Sequence, residues 1–373
     1  MIVISFDGVG DEEFKHLACN PSIYPNIAAF KAASHYRGNV KSVFVSNTYP
    51  VHTTIATGKL PRDHGIISNY VDASKSRRWA QMTSGIKAKT IWDAAREKGL
   101  SVASIFWPVT CNANIRWNMP EVHALKKRNQ LAENLRYGSR GFQIGALLRH
   151  GFRLMRFDVI GLDDFASAVA CDLLRKKRAD LILLHLLVYD ITRHRVGGQA
   201  NELDAARKSL DNSLGKIMDA AGERAILVFA DHAHLDVFET VDLRRIFGAN
   251  LYEQCGGSAF LRNTIDGIDK HPWFGRFLTQ SEMASSGYAK KSQCGIAAKI
   301  GYCFADKPVK SNHGYPVDYA KYKTFYAIRD KHMSDSAVPV FGDVRDITAI
   351  IAQKLGLDLA TYDVGADTIR LRT

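Results

Sequence analysis

The chain has 373 residues, 46% of them hydrophobic and 24% charged, which excludes a disordered or low-complexity polymer and suits one large α/β domain with an insertion, or two domains. No apolar run reaches the about 18 residues of a membrane helix, and Met1 leads straight into Ile2-Val3-Ile4 without a basic segment, so neither a transmembrane span nor a signal peptide is expected. The formal charge of +12 is spread over short runs (Lys126-Lys127-Arg128, Arg175-Lys176-Lys177-Arg178, Lys290-Lys291) that lack interleaved aromatics. They read as solvated helix faces that draw anionic substrates, not as a specific nucleic-acid surface.

The elements alternate along the chain. Ile2–Phe6 reads as a strand, residues 27–33 as a helix and Val43–Val45 as a second strand, followed by a helical run that Gly58 closes. A helix is expected over residues 90–98 with its stop at Gly99, then a strand over 102–106, a helix over 165–175 and a buried strand over 181–187 interrupted only by His185. A long helix over 203–221 and a strand over 225–229 follow, and 324–328 and 344–355 supply a last strand and helix. Such β-α-β alternation with apolar strands predicts a doubly wound, mostly parallel sheet sandwiched by helices. The rhythm breaks between Val237 and Asn312, where Gly, Ser and isolated aromatics accumulate. The expected organisation is therefore a core over 1–236, an inserted cap lobe over 237–312 and a return to the core over 313–373. Six cysteines at irregular spacing, none in a CxxC pair, point to reduced thiols and, with the missing leader, to a cytoplasmic protein.

Ligands of doubly wound sheets bind beyond the C-terminal ends of the strands, so the polar residues there carry the chemistry. Asp7 follows the first strand, Thr48 the second, and Asp190 with His194 the strand over 181–187. Asp231-His232 follows the strand over 225–229, and His313 lies late in the chain. Each has a plain structural alternative: a turn for Asp7, a helix cap for Thr48 or for Asp231-His232, an i,i+4 surface pair for Asp190 and His194, a satisfied core imidazole for His313. Taken together, three aspartates, three histidines and a hydroxyl form a donor set suited to zinc, with manganese or iron as alternatives, and seven donors suit two ions better than one.

The stretches SFDGV (Ser5–Val9), NTYPVHTTIATGKLPRDHGIISN (Asn47–Asn69), TIWDAAREKG (Thr90–Gly99) with FWP (Phe106–Pro108), YDITRH (Tyr189–His194), ADH (Ala230–His232) and NHGY (Asn312–Tyr315) resemble, in order and across nearly the whole chain, the nucleotide pyrophosphatase/phosphodiesterase branch of the alkaline phosphatase superfamily. The resemblance implies an alkaline phosphatase-like fold and two metal sites, one held by Asp190, His194 and His313. The other would be held by Asp7, Asp231, His232 and Thr48, with Thr48 also the nucleophile. Asn69, 21 residues after Thr48, would contact a non-bridging phosphoryl oxygen, and Tyr49 would stack on a nucleobase or another leaving group. Three positions depart from the family pattern: Arg193 precedes His194 where a glycine is usual, Ala233 follows His232 where a glycine is usual, and the nucleophile is followed by Tyr49-Pro50-Val51. The implied activity is hydrolysis of a small phosphate ester or nucleotide through a phosphoryl-threonine intermediate. A phosphomonoesterase, phosphonate hydrolase or phosphomutase on the same scaffold, and a binding protein without catalysis, are the competing readings.

Overall fold

The computed structural model describes residues 1–71, 78–125, 128–156, 159–332 and 342–359. Lys126 and Lys127 of one basic run, and residues 360–373 of the C-terminal core segment, lie outside the described residues. The strands β1 (Ile2–Phe6), β2 (His35–Val40), β3 (Val102–Ile105), β4 (Trp117–Met119), β5 (Leu181–Leu186) and β6 (Ile226–Phe229) join Thr324–Arg329 in a seven-stranded sheet. Its order is β2, Thr324–Arg329, β6, β1, β5, β3, β4, and only Thr324–Arg329 runs against its neighbours. β1 is central, pairing in parallel with β5 on one side and β6 on the other.

Alternation along these strands fills two cores. Ile2, Ile4 and Phe6 of β1 join Ile182, Leu184 and Leu186 of β5 on one face, against the helices Val159–Arg175 and Glu202–Ala221. Val3, Leu181 and Leu183 turn to the other, against Val51 and Ile55 of the helix Thr48–Thr57 and Ile347, Ile350 and Ile351 of Arg345–Leu355. With both faces covered, every position of β1 and β5 is buried, which is why these segments read as apolar runs broken only by Ser5 and His185. The helices begin and end where local chemistry says they should. Thr90 and Asp93 form a capping box before Ile91–Glu97, and Gly58 closes Thr48–Thr57 with φ 69°.

Two sequence expectations are corrected. Val43–Val45 is not a strand; the second strand is His35–Val40, a polar and partly exposed one. The apolar run is buried for another reason: Phe44 and Val45 pack against Phe260, Tyr288 and Ala297, contributed by the 237–312 segment. The helix after it, expected over residues 51–57, runs Thr48–Thr57. The 237–312 segment holds a sheet of its own, in the order Phe274–Phe277, Cys294–Ala298, Ser258–Leu261, Leu251–Gln254, all antiparallel. Leu235–Asp236 pairs antiparallel with Ser311–Asn312, so the chain leaves for this segment and returns from it at one point.

The central position of β1 sets a test. Ile4→Ala, at a fully buried site, should lower unfolding free energy by about 2–5 kcal/mol, read as a shifted urea midpoint at unchanged slope. A loss under about 1 kcal/mol would show that this layer is not close-packed.

Candidate metal centre and active site

Because β6, β1 and β5 are neighbours, the residues at their C-terminal ends are neighbours too. Asp7 directly follows β1, Asp231 and His232 follow β6, and Asp190 sits in the first turn of the helix Val188–Val196 after β5. Asp163, from the helix packed against this turn, fixes where it begins: its carboxylate accepts hydrogen bonds from Leu187 N at 2.9 Å and Val188 N at 3.0 Å. Burial of Asp163 pushes its carboxyl up to about 7.

The donors converge on His232. Its Nε2 lies 3.2 Å from Asp231 Oδ2, 3.5 Å from Asp7 Oδ1 and 3.5 Å from Thr48 Oγ1. Four donors bonded to one tetrahedral zinc at about 2.0–2.1 Å would lie about 3.3–3.4 Å apart, so these separations already match the edges of that polyhedron. The carboxylates are divided accordingly. Asp231 Oδ1 accepts from Gly8 N and His232 N, and Asp7 Oδ2 faces His185 Nε2 at 3.0 Å. Asp7 Oδ1 and Asp231 Oδ2, both buried, have no hydrogen-bond partner among the described residues. Burial, and then the charges of Asp231 and Asp190, push the Asp7 carboxyl well above the usual range. A buried acidic cluster with two unpartnered oxygens is what a divalent cation would neutralise. The donor set fits that group.

The second set lies beside the first. Asp190 Oδ1 is 3.4 Å from His194 Nε2, and Asp190, His232 and His313 bring ligand atoms within 4.8 Å of one another. The rings of His194 and His313 are 5.1 Å apart, and those of His232 and His313 stack at 4.0 Å. Burial disfavours charge on Asp190, yet His194, His234 and His313 around it hold its carboxyl well below the usual range.

Thr48 does not cap its helix. It is the first helical residue, Asn47 occupies the cap position, and Asn47 Oδ1 faces His313 Nδ1 at 3.0 Å instead of a helix amide. Tyr49 N donates to Asn69 Oδ1 at 2.9 Å, which leaves the Nδ2 end of Asn69 as its donor. All of these residues line, or lie directly behind, a cavity of about 1070 Å³. Tyr49 stands in its wall, buried, with Trp79 at 5.2 Å between ring centroids and Tyr70 beyond Trp79 at 5.0 Å. Glu253, Gln254, Cys255 and Gly256 of the 237–312 segment line the same cavity. No lysine or arginine does so among the described residues; Arg193 Nη2 pairs instead with Asp236 at 3.1 Å.

Five neighbours of the site, His52, His185, Glu121, His123 and His234, were not among the site residues expected from sequence. His52, four residues into the Thr48 helix, places Nδ1 2.8 Å from Thr48 O and Nε2 3.0 Å from Ser5 Oγ. His185 lies between Asp7 and Glu121, and Glu121 reaches His123, whose ring stacks on Trp79 at 3.8 Å. His234 places Nε2 2.7 Å from Asp190 Oδ1. Two of them carried a sequence signal: the imidazole interrupting apolar β5, and a second histidine at alternate spacing in Asp231-His232-Ala233-His234.

Asp7→Asn and Asp231→Asn should each lower bound divalent metal by about one equivalent after dialysis, measured by elemental analysis. Full metal content in both variants would show that these oxygens are not ligands.

Residues 1–273 match the family model described as type I phosphodiesterase/nucleotide pyrophosphatase. Among curated relatives, venom phosphodiesterase 2 of Crotalus adamanteus is 25% identical over 245 residues, 62% of this chain and 26% of that protein. The human ectonucleotide pyrophosphatase/phosphodiesterase family member 1 is 24% identical over 229 residues, 60% of this chain and 21% of that protein. The chain thus spans about a quarter of the length of these relatives. Among solved structures, murine ectonucleotide pyrophosphatase/phosphodiesterase 5, an inactive threonine-to-alanine form in complex with AMP, superposes with a TM-score of 0.67 at 16% identity, covering 96% of this chain and 95% of that one. Phosphonoacetate hydrolase of Sinorhizobium meliloti does so with a TM-score of 0.67 at 16% identity, covering 95% of each chain. At such identity the superpositions show the shared fold. The match over 1–273 shows more: this chain belongs to the type I phosphodiesterase/nucleotide pyrophosphatase family.

Proposed function

We propose that the chain is a two-metal phosphodiesterase or nucleotide pyrophosphatase that acts through a phosphoryl-threonine intermediate. The observation that supports this reading is Thr48 Oγ1 lying 3.5 Å from His232 Nε2, the atom against which Asp7 Oδ1 and Asp231 Oδ2 also lie, at the first turn of a ten-residue helix that lines the cavity. Asp7, Asp231, His232 and Thr48 would hold one divalent ion, and Asp190, His194 and His313 the other, with zinc the best match to this mixture of imidazole and carboxylate and manganese or iron the alternatives. When bound, such ions lower the pKa of a coordinated hydroxyl and offset charge on the phosphoryl oxygens.

The chain's own groups do the rest. The backbone amides of the Thr48 turn and its helix dipole favour an anion there. Asn69, fixed by Tyr49 N, offers Nδ2 to a non-bridging oxygen. Thr48 Oγ1 forms a bond to phosphorus as the bond to the leaving alcohol breaks, and water later cleaves the phosphothreonine, restoring the hydroxyl and releasing a monoester. The wall formed by Tyr49, Trp79 and Tyr70 suits an aromatic leaving group, and a second arm lined by Leu131, Leu147, Leu162 and Phe165 takes an apolar one. The cavity's lack of a cationic side chain among the described residues favours a diester, which carries one charge, over a monoester dianion. The AMP bound to the murine structure is consistent with a nucleotide substrate. The six free cysteines suit a reducing, cytoplasmic setting, and no described helix is long and apolar enough to cross a membrane.

Thr48→Ala should fold normally and lose turnover by on the order of 10³-fold or more, while Thr48→Ser keeps a measurable fraction because the hydroxyl remains. Near-normal turnover in the alanine variant would remove Thr48 from the chemistry. For an aryl phosphate monoester paired with its alkyl aryl diester, kcat/KM should favour the diester. A tenfold preference for the monoester, about 1.4 kcal/mol, would reverse the assignment of substrate class.

A further inference from the structure

We propose that His234 is a ligand to the ion held by Asp190 and His194, so that this pole of the centre is built from one carboxylate and three imidazoles. The inference rests on the two-metal reading and adds a residue to it.

Three observations carry it. Asp190, His194 and His234 bring their ligand atoms within 4.8 Å of one another, with Asp190 Oδ1 3.4 Å from His194 Nε2; the 2.7 Å between Asp190 Oδ1 and His234 Nε2 is shorter than a tetrahedral edge and needs a proton or a cation against both atoms. The imidazoles of His194, His313 and His234 are also held from behind in the same way. His194 Nδ1 lies 2.9 Å from Ser311 O, and His313 Nδ1 lies 3.0 Å from Asn47 Oδ1. His234 Nδ1 lies 3.0 Å from Ser311 Oγ, and that hydroxyl donates its own proton to Arg193 O at 2.8 Å, so it receives from the imidazole. With Nδ1–H committed to an outer acceptor, Nε2 is the atom turned to the centre, which is how metal-bound histidines are oriented. Thirdly, the ring has been given room. A Cβ at Gly8 would lie 2.8 Å from both Cδ2 and Nε2 of His234, and Gly8 has φ 72°. His234 is buried, so its turn towards Asp190 is fixed by packing.

An added imidazole would occupy a coordination position otherwise left to water or substrate, leaving the Asp190 ion more tightly held and slower to exchange than its partner.

The test is metal binding, separate from turnover. Chelator-competition titrations on the full chain with zinc, and absorption spectra of the cobalt-loaded protein, would compare wild type with His234→Ala and His234→Gln, with far-UV circular dichroism as the check on folding. Wild type should take up two equivalents. In both variants one equivalent should weaken by about 10–100-fold, the other should be unchanged, and the visible cobalt bands should shift. Glutamine can still donate a hydrogen bond to Asp190. Full affinity in the glutamine variant, or unchanged cobalt spectra in both, would overturn ligation and leave His234 as a hydrogen-bonding neighbour. Ser311→Ala should fold even if the His234 variants do not, and should weaken the same equivalent by a smaller factor; an unaffected equivalent there would overturn the proposal as well. A wild-type chain that binds no divalent ion would sink the two-metal reading itself.

Discussion

Three carboxylates, Asp7, Asp190 and Asp231, are buried within electrostatic reach of one another at the ends of adjacent parallel strands. Such burial is costly, because like charges out of water repel strongly and an unpaired one forfeits its hydration. The surroundings are organised to contain that cost. Backbone amides of Gly8 and His232 and the His185 imidazole each take one carboxylate oxygen, while His194 and His234 lie against Asp190. What remains uncompensated, one oxygen on Asp7 and one on Asp231, faces the Thr48 hydroxyl and His232. Added positive charge would relieve this centre, and the parallel order of β6, β1 and β5 is what brings the three carboxylates together.

The large cavity divides its labour by material. One end is polar and rigid, built on strand ends and a helix N-terminus. The rest is mostly apolar, with aromatic rings on one wall and aliphatic side chains on another. The two materials meet at consecutive residues, Thr48 at the polar end and Tyr49 in the aromatic wall, so a change at the wall reaches the polar end through the Tyr49 N–Asn69 hydrogen bond.

Much of this was legible in sequence because the information is local. A buried parallel strand announces itself as an apolar run, and position at or just beyond the strand ends made Asp7, Asp190 and Asp231 candidates, each with a structural alternative that sequence alone left open. What was not legible depends on distant parts of the chain. Phe44 and Val45 are apolar because the 237–312 segment covers them, not because they pair in a sheet. His35–Val40 is a polar strand because it lies at the sheet edge. The strands of the second sheet are short, and Leu251–Gln254 buries a glutamate, Glu253, which Tyr288 and Ser68 satisfy from 35 and 185 residues away. No local pattern announces such a partnership. His234 is the instructive case: its alternate spacing after His232 is visible in sequence, but its place against Asp190 is visible only in the fold.

The short ladder of Leu235–Asp236 with Ser311–Asn312 has a consequence for how this architecture can diversify. It clasps the two ends of the 237–312 excursion together beside His232, His234 and His313, so the excursion leaves and re-enters the core through a fixed gate. Closing a longer loop through such a gate costs only about 0.6 kcal/mol per doubling of its length. Material can thus be added to, or removed from, the far side of the clasp while the residues on the near side keep their positions.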